Sequence, residues 1–185
     1  MIAKDVDIPG IVRQAQPAVA QIVALDDQNK TLKTGTGFFI SADGNLLTNY
    51  HVISDARSIL AKTASGAVYS FKKIVAFSPK PDVALLTFYA TDVPYLNLGS
   101  TADAVEGQRV LVLGNPEGFE GTVSDGIISA FHRFINDGVV YESIEERTEA
   151  LEYSGRHHQA HCLFEIAYKD RNPPSILALS LKVLK

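Results

Sequence analysis

The stretch Gly35-Thr36-Gly37-Phe38-Phe39-Ile40-Ser41-Ala42-Asp43-Gly44-Asn45-Leu46-Leu47-Thr48-Asn49-Tyr50-His51-Val52-Ile53 leaves this chain few ways to fold. Residues 38–40 and 46–48 are short β-favouring runs, and Asp43-Gly44 between them offers the positive φ that a tight hairpin requires. The order is strand, turn, strand, histidine, so the hairpin is expected to carry His51 to a strand end. Other β-rich runs at 18–25, 57–62, 67–77 and 83–89 are separated by polar or Pro/Gly breaks such as Asp26-Asp27-Gln28-Asn29-Lys30, Ser65-Gly66 and Ser78-Pro79-Lys80-Pro81. Short strands closely spaced with little helix between them predict an all-β chain, an antiparallel barrel or sandwich rather than a parallel sheet. The exception is residues 7–16, which read as a short helix. Asp7 is its N-cap, Pro9 lies in its first turn, Ile8, Ile11, Val12 and Ala15 share one face, and Pro17 ends it.

Leu96-Asn97-Leu98-Gly99-Ser100 closes this first set, and a polar link at 101–107 leads to further β-rich runs at 109–113, 122–131 and 139–141. The expected organisation is a helix and first β-barrel over 1–100, a partial second β-unit over 101–150, and a divergent tail over 151–185 that is a candidate for disorder. The length of 185 residues suits one sizeable domain or two small fused barrels, and 46% hydrophobic residues suffice for a packed core. A formal charge of -4 and a pI near 5.7 argue against nucleic acid or an anionic membrane as partner. Cys162 is the single cysteine, so no intramolecular disulfide can form. Met1-Ile2-Ala3-Lys4-Asp5-Val6-Asp7 lacks the apolar segment of a secretory signal. The expectation is a soluble, cytoplasmic protein as given, with an extracytoplasmic home if the N-terminus is incomplete.

Two side chains carry candidate chemistry. An imidazole fixed at the lip of a barrel, with glycines leaving room beside it, can act as a general base near neutral pH, which is the expectation for His51. In Lys80-Pro81-Asp82-Val83-Ala84-Leu85-Leu86 a carboxylate stands at the mouth of an apolar strand. Burying it is costly unless it accepts hydrogen bonds, and a histidine Nδ1 proton both satisfies the carboxylate and is oriented by it.

Taken together, Gly35-Thr36-Gly37-Phe38, Leu47-Thr48-Asn49-Tyr50-His51-Val52, Asp82-Val83-Ala84-Leu85-Leu86, Leu113-Gly114-Asn115-Pro116 and Thr122-Val123-Ser124-Asp125-Gly126-Ile127-Ile128-Ser129 resemble the trypsin-like serine endopeptidases of the HtrA (Deg) type. The resemblance covers residues 6–132. It implies two perpendicular β-barrels with the active site between them, His51 as general base and Asp82 as its orienting acid. The cleft wall would run from Gly114, Asn115 and Pro116 to Gly126, with Gly118 and Gly121 also letting an extended substrate backbone approach. It further implies acyl-enzyme cleavage of unfolded or extended polypeptide without a cofactor or metal, and leaves homo-oligomerisation open.

The chain departs from this pattern where the nucleophile belongs. The family carries a Gly-x-Ser-Gly turn whose N–H groups build the oxyanion hole, but the corresponding stretch reads Leu151-Glu152-Tyr153-Ser154-Gly155-Arg156. Ser154 is the candidate nucleophile, yet Glu152 and Arg156 replace small residues beside it. Impaired peptidase activity is therefore expected, the alternative being an inactive homologue that binds peptides or partner proteins. The resemblance fades after residue 142. His157, His158, His161 and Cys162 offer zinc-ligand chemistry without a second ligand-bearing element, so no metal site is assigned. A reading-frame slip would also explain the changed composition, and translating the nucleotide sequence in all frames tests it.

Overall fold

The computed structural model describes residues 7–79, 82–99, 105–114, 122–135, 139–146, 164–169 and 175–180. Helix α1 (Ile8–Ala15) starts as its sequence demands, with the Asp7 carboxylate accepting from the Gly10 N–H at 2.9 Å and Pro9 in the first turn. A single 3-10 turn (Gln16–Ala18) contains Pro17 and leads into the strands β1 (Val19–Leu25), β2 (Thr31–Phe39) and β3 (Asn45–Thr48). One helical turn, α2 (Tyr50–Ile53), precedes β4 (Ser58–Thr63), β5 (Val68–Ser78) and β6 (Val83–Phe88). These six strands close into an antiparallel barrel in the order β1-β2-β3-β6-β5-β4, with β4 returning to β1. Two register shifts in β5, between Phe71 and Lys73 and between Ile74 and Ala76, mark where it departs from regular pairing with β6. Bulges of this kind bend a strand and increase its twist, as a small closed barrel needs.

Alternation decides which way each strand faces. Along β1, Ala20, Ile22 and Ala24 are buried while their neighbours are partly open, and along β6 Ala84, Leu86 and Phe88 point inward. Phe39, Leu46 and Leu86 are fully buried in the barrel core, where Phe39 meets Phe88 and Tyr69 edge-on at 6.2 and 5.5 Å. Full burial of such side chains contributes about 1.5–3 kcal/mol each. Phe38 points the other way, into a second cluster with Ile11, Ala15, Leu96, Leu111 and Leu113. The end of β2, from Thr36 to Phe39, is thus buried on both faces, and helix α1 joins the outside of the barrel to the next β-unit.

That unit is a three-stranded antiparallel sheet of β7 (Arg109–Gly114), β8 (Thr122–Ile135) and β9 (Val139–Glu146). A bidentate pair from Arg109 to Asp125, at 2.9 and 2.7 Å, spans β7 and β8. Strands β10 (Phe164–Lys169) and β11 (Ser175–Ser180) form an antiparallel pair, and β10 runs beside β7.

Three sequence expectations change. Strand β2 begins at Thr31 instead of Phe38, because pairing with β1 extends through residues whose own β signal is weak. His51 sits in the helical turn α2 rather than at a strand end, since the chain leaves β3 at Thr48 and turns over β2. Within the tail, the apolar run 175–184 reads as its one late strand, and Ser175–Ser180 forms it. Phe164–Lys169 also forms one.

Candidate active site

The loop Ser41–Gly44 closes the β2–β3 hairpin, with the Ile40 N–H donating to Asn45 O at 2.8 Å. Gly44 has φ +87°, and a Cβ there would lie 2.7 Å from the Phe88 carbonyl oxygen, so this corner accepts only glycine without strain. Register between β3 and β6 then sets Thr48 opposite Ala84. The residues that follow β3 are thereby brought beside those that precede β6, which places His51 next to Asp82.

Asp82 is 5% exposed and adopts φ +54°, a left-handed conformation that few residues other than glycine, asparagine and aspartate tolerate. Its backbone carbonyl accepts from the Tyr50 N–H at 3.1 Å and from Asn49 Nδ2 at 3.2 Å. Its carboxylate accepts from the His51 N–H at 2.8 Å through Oδ1, and lies 2.6 Å from His51 Nδ1 through Oδ2. Asn49 Nδ2 reaches Oδ2 as well, at 3.3 Å. These donors offset the cost of burying the carboxylate. An ionised carboxylate can only accept, so the proton of a neutral His51 ring belongs on Nδ1 and the lone pair on Nε2. With 41% of its side chain exposed, His51 remains open to solvent.

Sequence reasoning missed three contributors. Asn49 occupies the N-cap position of α2, where asparagine ordinarily caps, but makes no capping bond; its amide is directed to Asp82. Tyr50 stacks on Phe77 at 5.2 Å with 14° between the rings, tying α2 to the end of β5. Lys33 on β2 donates to His51 O, Ser54 Oγ and Asp55 Oδ2 at 3.0, 3.1 and 2.7 Å. Asn49 could have been suspected as a polar residue at a strand-to-turn junction; nothing local marked Lys33.

Of the residues expected to line the cleft, Gly114 is buried at the end of β7 and Gly126 is buried in β8, paired with Val110. Asn115, Pro116, Gly118, Gly121 and Ser154 lie outside the described residues, as do Glu152, Arg156, His157, His158, His161 and Cys162. Among the described residues, no group of three or more histidine, cysteine, aspartate or glutamate side chains could hold a metal ion.

A closed antiparallel barrel with a histidine–aspartate pair at its rim, packed through Phe38 and Leu111 against a second β-unit, is the arrangement of the chymotrypsin-fold serine peptidases. The family profile described as a trypsin-like peptidase domain matches residues 35–162, and the chain belongs to that family. Over 108 residues it is 44% identical to a Pseudomonas fluorescens protein named "Probable periplasmic serine endoprotease DegP-like", covering 58% of this chain and 22% of that one. A Chlamydia trachomatis protein of the same name is 38% identical over 103 residues, covering 56% of this chain and 20% of its own length. Among solved structures, the HtrA-type protease AlgW with a tripeptide superposes with a TM-score of 0.65 at 32% identity, covering 74% of this chain and 44% of that chain. The chain therefore spans about a fifth of the length of these curated relatives.

Proposed function

We propose that this chain is an HtrA-type serine endopeptidase domain acting on unfolded or extended polypeptide, with His51 as general base, Asp82 as its orienting acid and Ser154 as nucleophile, and with activity impaired by Glu152 and Arg156. The observation that carries the reading is the 2.6 Å contact between His51 Nδ1 and Asp82 Oδ2 on a ring still 41% exposed, which leaves Nε2 as the basic nitrogen. In the proposed cycle Ser154 Oγ attacks the scissile carbonyl carbon while its proton passes to His51 Nε2. The carbon–nitrogen bond then breaks, that proton goes to the leaving amine, and water hydrolyses the acyl-enzyme. No cofactor enters. Residues 1–100 carry the base and acid, residues 101–150 supply the opposing cleft wall through Gly114, Asn115, Pro116 and Gly126, and residues 151–185 diverge from the family.

The peptide in the AlgW structure supports a polypeptide as ligand. The periplasmic names of the relatives support an extracytoplasmic home over the cytoplasmic expectation. Among the described residues, no helix is long and apolar enough to cross a membrane. The side chains of Glu152 and Arg156 favour a second reading, an inactive homologue retaining only peptide or partner binding. A fluorophosphonate probe separates the two. Labelling that is lost in both Ser154→Ala and His51→Ala supports the peptidase; absence of labelling in folded protein refutes it and leaves the binding role.

A further inference from the structure

We infer that Lys33 is a positioning residue for His51, its ammonium reaching from β2 to fix the helical turn that aims the imidazole at Asp82. The inference rests on the reading of His51 as general base. An ammonium group has three protons, and here three acceptors surround it: His51 O at 3.0 Å, Ser54 Oγ at 3.1 Å and Asp55 Oδ2 at 2.7 Å. The pair with Asp55 is solvent-exposed, with side-chain exposures of 38% and 73%, and such pairs contribute little to stability. Its geometric effect is larger than that. Helix α2 has only four residues, too few to satisfy its own carbonyls or to hold its shape by intrahelical bonds.

Lys33 supplies a donor at the carbonyl of His51 itself. At the other side of the same residue, the His51 N–H donates to Asp82 Oδ1 at 2.8 Å. Both peptide groups flanking the His51 side chain are thus gripped by side chains from other elements, and the ring makes the third contact at Nδ1. The platform is continuous. Gly35 lies two positions beyond Lys33 on the same face of β2, and a Cβ there would fall 2.5 Å from Val52 Cγ2, so α2 rests directly on the strand. The Ser54 hydroxyl also donates to the His51 carbonyl, at 3.3 Å, but it belongs to the same short turn and cannot tie it to the barrel.

The test is proton NMR of the intact chain, following the downfield Nδ1–H resonance of His51 that a hydrogen bond to a buried carboxylate produces. Lys33→Met is expected to abolish this resonance through exchange with water, Asp55→Asn to broaden it, and Lys33→Arg to restore it, with circular dichroism unchanged throughout. A resonance unaltered in Lys33→Met overturns the inference, as does a loss that Lys33→Arg does not rescue or the absence of the resonance from the wild-type chain. Should Lys33→Met fail to fold, the exposed Asp55→Asn variant carries the test, and an unaltered resonance there overturns it. Fluorophosphonate labelling fails separately, since it reports the serine and not the imidazole contact.

Discussion

Replacing Asp82 by asparagine removes the charge while keeping the side-chain shape and the tolerance for φ +54°. Among the described residues, the carboxylate faces the His51 N–H at 2.8 Å, His51 Nδ1 at 2.6 Å and Asn49 Nδ2 at 3.3 Å. An amide offers one acceptor oxygen. If that oxygen stays toward the His51 N–H, the amide nitrogen opposes Asn49 and forces the ring to accept through Nδ1. Hydrogen bonds to a charged group are worth about 1.5–3 kcal/mol against about 0.5–1.5 kcal/mol for neutral ones, and a buried donor without a partner costs about 1–3 kcal/mol. Weakening two bonds and opposing one donor, offset by relief of a buried charge, predicts destabilisation by about 2–3 kcal/mol. Urea unfolding should show this as a lower midpoint with the slope unchanged. Nitrogen-15 NMR should show the His51 proton moved from Nδ1 to Nε2, where it would block the general-base action proposed for this ring, and any fluorophosphonate labelling should slow on the order of 10⁴-fold. Asp82→Ala should cost about 1–2 kcal/mol more than Asp82→Asn for the left-handed backbone. An Asp82→Asn midpoint equivalent to a change below about 0.5 kcal/mol, together with an unchanged tautomer, would refute the reasoning.

Gly37→Ala would place a Cβ 2.7 Å from Leu46 Cδ2 and 2.8 Å from the Leu47 carbonyl oxygen, and backbone cannot retreat as a flexible side chain can. Thermal unfolding should register a loss of about 1–3 kcal/mol, and an unchanged melting temperature would show that β2 and β3 are less closely apposed than described. The Asp55 carboxyl is held below its ordinary value of 3.8, first by the hydrogen bond from Lys33, then by that from Ser54 and by the Lys33 charge, against a small opposing effect of burial. A carboxyl depressed in the folded state stabilises it above the ordinary value and loses that contribution as pH falls through the folded value. Carbon-13 NMR should accordingly place the Asp55 midpoint below 3.8 in the wild type and move it upward in Lys33→Met.

The elements with strong local signals were legible before folding. Asp7 and Pro9 announce α1, the apolar run 18–25 announces β1, and Asp43-Gly44 announces the hairpin, because each depends on residues within a few positions. Helix α2 was not legible. Four residues carry too little periodicity to distinguish a turn of helix from a strand end, and this turn exists because Asp82, Lys33 and Phe77 hold it from three other elements. The start of β2 was likewise set by its partner: Thr31 to Thr34 are extended because β1 pairs with them.

By itself the sequence determined the all-β class, the strand-turn-strand that leads to His51, and the residue types able to form a base and its acid. It could do so because side-chain alternation, turn chemistry and the spacing of motifs are properties of order along the chain. Only the tertiary structure decided that Asp82 turns left-handed, that the Asn49 amide serves the Asp82 carboxylate instead of capping a helix, and that Lys33 reaches the His51 carbonyl across 18 positions. Those contacts follow from barrel closure, which fixes the distances between residues remote in sequence, and no local preference of the amino acids encodes them.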